Sequence, residues 1–280
     1  MKKKNSGVIF ILLSAFLFSF GGVCNKLLPW SAFAINGARC LVGLIPLGIY
    51  MAAKKHRVKF NLTVLLGSVC FLGATALLML STKFTSSANA IVLQYTAPVF
   101  IILYHLIFRR QKPKKMDILT CAAVFIGIIF FFVEGMSKGT FFGNAMGLLS
   151  GISYAGVCML NTFEKGDSLS SIFFGMILCV ITGIPFLFRE TDFSANTLLI
   201  AGFMGIFQMG LGYTCFNLGL KSAHPVSVSL ISGIEPILNP LFVALFYRDD
   251  LGVLSVIGAL IVLAAVLWYN AAMARQPQET

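Results

Sequence analysis

The chain has 280 residues, 58% of them hydrophobic and only 11% charged, with a mean hydropathy of +0.90. Soluble domains carry about 25% charged residues, so this composition excludes a sizeable soluble domain and specifies an integral membrane protein. The net charge of +11 would suit nucleic acid in a soluble chain, but here Lys and Arg gather in short loops, which is the pattern of topology control.

A membrane span needs about 20 mostly apolar residues. Ten such stretches follow in order, at 7–28, 31–53, 62–82, 86–108, 117–134, 143–163, 168–188, 195–218, 225–247 and 251–273. The first follows Lys2, Lys3 and Lys4, like a secretory signal, yet it runs to full spanning length with no small-residue cleavage site behind it. It is read as an uncleaved first helix. Lys and Arg set the orientation. With the N-terminus inside, the cytoplasmic segments hold 15 of them and the opposite loops 5, while Arg39 lies within a span. Both termini are therefore expected in the cytoplasm of a cell-membrane protein.

The two halves repeat each other. LLSA at 12–15 recurs as LLSG at 148–151, and residues 82–100 align without gaps to 220–238, pairing Lys83 with Lys221 and Pro98 with Pro236. Each unit has five spans, an odd number, so the second unit crosses the membrane in the opposite sense, a common transporter plan. The expected fold class is an all-α membrane protein of ten transmembrane helices in two inverted five-helix repeats, over 1–135 and 143–273. Gly143, Gly147, Gly151 and Ala155 recur every fourth residue of the sixth span. Such a ridge permits close helix approach in lipid and is read as a packing seam that suits a monomer or a homodimer.

These features carry a family likeness: the size, the duplication, Phe20-Gly21 followed by Lys26, Arg39 in the second span, Ser86 to Pro98 in the fourth, and IEP at 234–236. The chain resembles the drug/metabolite transporter superfamily, specifically its EamA-type proteins with ten spans in two repeats. The family often has Trp where Phe20 stands. Here Trp30 and Trp268 lie near span ends, where interfacial anchoring explains them.

The ninth span holds the least lipid-like stretch, SLISGIEPILNP at 229–240. Glu235 is the one acid in mid-span, and Pro236 and Pro240 each remove a helical hydrogen bond. An acid at that depth costs about 2.5–3.5 kcal/mol on insertion scales and usually faces a cavity. It is read as a counter-charge for a cation or a carrier of protons, against a structural acid paired with Arg39. Tyr95, Gln94, Tyr154, Tyr213, Phe20, Phe216 and Asn239 are candidate substrate-binding residues, with Gln208 near Tyr213. Aromatic rings around an acid suit an organic cation, each cation–π contact contributing about 0.5–2 kcal/mol. Pro98 and Pro236 are candidate hinges. Arg39 is read as structurally paired, and Lys83 as snorkelling to the interface.

The sequence carries no phosphate loop, GxSxG elbow or HExxH motif, and its seven cysteines lack metal-ligand spacing. It is not expected to be an enzyme or to hold a cofactor. The expected function is secondary active transport of a small polar metabolite by alternating access. An organic cation such as choline is favoured, with proton coupling through Glu235, and the expected partners are substrate, bilayer and protons. The runner-up is an amino-acid or drug exporter of the same family. A membrane enzyme or a lipid-handling protein is the alternative from another class.

Overall fold

A computed structural model describes residues 2–107, 114–138, 140–160, 163–222, 235–246 and 252–275. Residues 229–234 of the SLISGIEPILNP stretch, together with His224, Arg248, Asp249 and Asp250, lie outside the described residues. Those that are described form helices and no strands: α1 (Lys2–Ser19), α2 (Gly21–Leu27), α3 (Ala32–Ala53), α4 (Leu62–Phe84), α5 (Ser87–Gln94), α6 (Ala97–Ile107), α7 (Lys115–Lys138), α8 (Phe141–Leu160), α9 (Ser168–Leu187), α10 (Ala195–Phe203), a π-helical segment (Met204–Gly212), α11 (Tyr213–Ser222), α12 (Glu235–Phe246) and α13 (Val253–Arg275). The first, fourth and eighth spans are each built from consecutive pieces: α1 with α2, α5 with α6, and α10 through the π segment to α11.

Lipid explains the outer surface. Leu41, Ile45 and Ile49 recur one turn apart on α3 and are 49%, 64% and 66% exposed. A face of this kind is stable only against hydrocarbon. The opposite side of α3 buries Ala38, Leu47 and Met51. Without a hydrophobic drive between helices, small residues decide which ones touch. On α3 and α9, Gly37 meets Gly183. A Cβ on Gly37 would stand 2.8 Å from the Cα of Gly183, and one on Gly183 only 2.5 Å from the Cα of Gly37. The ridge on α8 is a packing seam of the same type. Gly143 lies against the backbone of Phe84 and Thr85, Gly147 against Ser81 and Leu93, and Gly151 against the carbonyls of Leu93 and Gln94.

Polar contacts tie α3 to α9 at both ends. At the Lys/Arg-rich face, His56 Nε2 lies 2.9 Å from Asp167 Oδ2, and the backbone N–H of Lys59 donates to Ser170 Oγ at 3.0 Å. At the other face, Ser31 donates through its N–H and its hydroxyl to Glu190 Oε1, at 2.8 and 2.7 Å. Trp30 is 3% exposed and donates its indole N–H to the Asp192 carbonyl at 2.7 Å. Instead of sitting in lipid as an interfacial anchor, it closes the end of the α3–α9 pair. Trp268, 48% exposed, faces outward. Lys83 Nζ donates to the Leu28 carbonyl at 2.6 Å, so its ammonium ties α4 to the end of α2.

Asp167 caps α9, accepting from the Ser170 N–H at 3.0 Å. Partial burial pushes its carboxyl up, but hydrogen bonds from Ser170 and His56 outweigh this and hold it below the usual carboxylate range. A depressed acid contributes stability above its unfolded value of about 3.9, and that stability is lost as pH falls through the lower folded value. Asp167→Ala is therefore expected to cost about 0.5–2 kcal/mol at neutral pH. In detergent this reads as a lowered melting temperature, and the gap from wild type should narrow as pH is taken below about 4. A gap that did not change with pH would contradict the assignment.

Candidate functional site

The helical ladder breaks between α5 and α6, opposite the first turn of α12. Tyr95 caps α5 with φ −72 and ψ 3, its N–H bonded to the Ile91 carbonyl at 3.0 Å. Thr96 turns the chain, and Pro98 stands second in α6. In a helix continuous from α5 the N–H of residue 98 would bond the Gln94 carbonyl, and proline has none to give. The carbonyls of Leu93 and Gln94 consequently face α8 at Gly151, where a Cβ would stand 2.8 and 3.1 Å from them. That close approach fixes the height of Tyr154, three residues further along α8. Glu235 and Pro236 stand in the first turn of α12. Pro98 and Pro236, partners in the repeat, thus hold equivalent places in α6 and α12.

The α5–α6 break and α12 meet through side chains. Tyr95 donates its hydroxyl to Glu235 Oε2 at 2.8 Å. Tyr154 and Tyr213 are also within electrostatic range of the Glu235 carboxylate. Tyr95 of α5 is thus bonded to the acid of α12, with Tyr154 of α8 and Tyr213 of α11 at longer range. Tyr213 is fixed by ring contacts at 5.0 Å with Phe18 and 5.3 Å with Phe71.

The remaining candidates are placed differently. Gln94 is an anchor: its amide nitrogen donates to Ser150 Oγ at 2.7 Å and to the Ala74 carbonyl at 3.1 Å, tying α5 to α8 and α4. Phe20 belongs to an aromatic cluster, stacked on Phe242 at 4.7 Å with Phe16 and Phe203 at its edges. Phe216 lies 6.5 Å from Phe18. Asn239, one turn beyond Glu235 on the same helix, is fully buried, and neither end of its amide has a hydrogen-bond partner among the described residues. Its Oδ1 lies beside Gly22, against which Ser87 Oγ also packs. An unmet buried polar group costs about 1–3 kcal/mol.

A second polar cluster surrounds Arg39, which is 2% exposed. It does not pair with Glu235. Its Nε and Nη2 donate to Asn36 Oδ1 at 3.2 and 2.9 Å, and its Nη1 donates to Gln208 Oε1 at 3.0 Å. Gln208 sits inside the π segment, a geometry found mostly at functional sites. Its Nε2 donates to the Phe18 carbonyl at 3.2 Å, where the first span breaks between α1 and α2. Gly21 leaves room for that nitrogen, which a Cβ would displace. Asn36 was not anticipated, although its place three residues before Arg39 puts it on the same helical face. Among the described residues no group of His, Cys, Asp and Glu is arranged to hold a metal ion, and all seven cysteines are free.

Among the described residues eight helices are long and apolar enough to cross a membrane, with a shorter apolar one beside them, and this defines a multi-pass membrane protein. The chain belongs to the EamA-like transporter family, whose model matches residues 5–133 and again residues 141–271, within the drug/metabolite transporter superfamily. It is 27% identical to an uncharacterized transporter of Clostridium kluyveri, over 96% of this chain and 94% of that one. It is 25% identical to the uncharacterized transporter YyaM of Bacillus subtilis, covering 82% and 80% of the two chains. Human solute carrier family 35 member G1 matches at 25% identity over 92% of this chain and 77% of its own. A protein of known crystal structure shares the fold, with a TM-score of 0.67 at 12% identity, over 98% of this chain and 100% of its own.

Proposed function

We propose that the protein is a secondary transporter of a small polar metabolite, with an organic cation such as choline as the favoured substrate and Glu235 as its counter-charge. The observation that carries this reading is the Tyr95 hydroxyl on Glu235 Oε2 at 2.8 Å, with two more tyrosines around the same carboxylate. A cation at this site would exchange water for a carboxylate and the faces of aromatic rings, each ring contributing about 0.5–2 kcal/mol.

In this reading the substrate and a proton compete for Glu235, so that inward movement of one drives outward movement of the other. Alternating access would use Pro98 and Pro236 as hinges, with α3 and α9, joined at both ends, moving as one body. The protein would lie in the cell membrane with both termini in the cytoplasm, as the placing of Lys and Arg implies. Counterflow of labelled choline in liposomes tests this: saturable uptake driven by unlabelled substrate inside supports it, and uptake no greater than in empty liposomes overturns it.

A further inference from the structure

The reading of Glu235 as a cation site leaves the other charge inside the bundle unused. A guanidinium has five N–H donors and stays ionised in proteins. Three of those in Arg39 go to amide oxygens of Asn36 and Gln208, which leaves one N–H on each terminal nitrogen. Among the described residues no carboxylate pairs with it. Burying a charge among neutral partners alone is costly, and such groups ordinarily acquire a counter-ion.

The amides are themselves held in place. Asn36 Nδ2 donates to Thr75 Oγ1 at 3.4 Å and Gln208 Nε2 to the Phe18 carbonyl at 3.2 Å, so each turns its oxygen to the guanidinium. The result is a fork fixed on two sides, with one donor left on each prong, and two parallel N–H bonds are what a carboxylate or another oxyanion accepts. Tyr213 lies within electrostatic range of both Arg39 and Glu235, and Arg39 makes no ion pair with Glu235 among the described residues.

We propose that Arg39 receives an oxyanion of the transported molecule, so that the substrate is dipolar, its cationic end at Glu235 and its anionic end at Arg39. This rests on the Glu235 reading and narrows it, because choline fills one pole only. It also gives both buried charges a partner in the loaded state.

The test is binding to the full chain in detergent, read by thermal shift. The probes are choline and trimethylammonium carboxylates whose charges are separated by increasing numbers of methylenes. In wild type at least one carboxylate is expected to bind about tenfold or more tightly than choline. A bidentate pair lost in that series corresponds to about 1.4 kcal/mol per tenfold. In Arg39→Met that ratio should fall to about one. In Arg39→Lys, which keeps the charge but loses the fork, it should fall part of the way. Arg39→Lys decides the matter if the methionine variant does not fold. The inference is overturned if no carboxylate outperforms choline in wild type, or if the preference survives in Arg39→Lys undiminished. Glu235-dependent binding of choline with no carboxylate preference would sink the inference and leave the cation site standing. Binding by none of the probes, with Glu235→Gln indistinguishable from wild type, would remove both.

Discussion

Glu235→Gln is expected to weaken binding of a quaternary amine by at least 30-fold while the protein keeps its fold. Removing one partner of a buried charge pair costs about 2–5 kcal/mol, and 2 kcal/mol already corresponds to about 30-fold. The loss is in binding alone, because glutamine has the same shape and can still accept from Tyr95. Without ligand, the buried carboxylate contributes little to stability, since charges taken out of water are costly to keep there. The melting temperature of the unliganded variant should therefore equal or exceed that of wild type. Proton exchange should disappear with the carboxyl, so the pH dependence of transport should flatten in the same variant. Unchanged affinity, or an unchanged pH profile, would show that the acid serves only to hold α12.

The second large effect is expected at Tyr95. Its hydroxyl bonds Glu235 at 2.8 Å, and a hydrogen bond to a charged group is worth about 1.5–3 kcal/mol. Tyr95→Phe keeps the ring and removes the donor, so it should reduce affinity for a quaternary amine about tenfold, as the carboxylate loses the group that aims it. Tyr213→Phe, which removes a hydroxyl with no bond to the acid, should cost less. Because Tyr95 acts through Glu235, the two losses should not add: Tyr95→Phe on the Glu235→Gln background is expected to change binding by less than about threefold. Residues that share a partner couple by about 0.5–3 kcal/mol, so full additivity would mean that they contact substrate independently.

Much of this architecture could be read from the chain, and the reason differs by feature. Hydropathy marks spans because lipid leaves the backbone no alternative to the helix, and an odd number of spans per repeat forces the inversion. Tyr95 and Glu235 could both be singled out as candidates, three residues before Pro98 and one before Pro236, but the hydrogen bond between them is visible only in the structure. The spacing of Gly143, Gly147 and Gly151 gave a seam, and a seam they form. What could not be read was which neutral groups would surround Arg39. Asn36 is on its own helix, but Gln208 comes from a π segment, whose altered periodicity hides the face it presents. Gln94 next to Tyr95 looked like a substrate contact, and only the packing of α4 and α8 reveals why it is bound elsewhere. Trp30 shows the same limit. A tryptophan near a span end looks interfacial until a partner such as the Asp192 carbonyl is in place.

In the proposed function a cation is carried through the bundle at Glu235. Counterflow in liposomes, run in parallel with wild type and Glu235→Gln, tests it most directly. Labelled quaternary amine, alone or bearing a carboxylate, should accumulate in wild-type vesicles preloaded with the unlabelled compound, saturably, and should not accumulate above empty vesicles in the variant. Equal counterflow in the two proteins, or none in wild type for any member of the series, would contradict it.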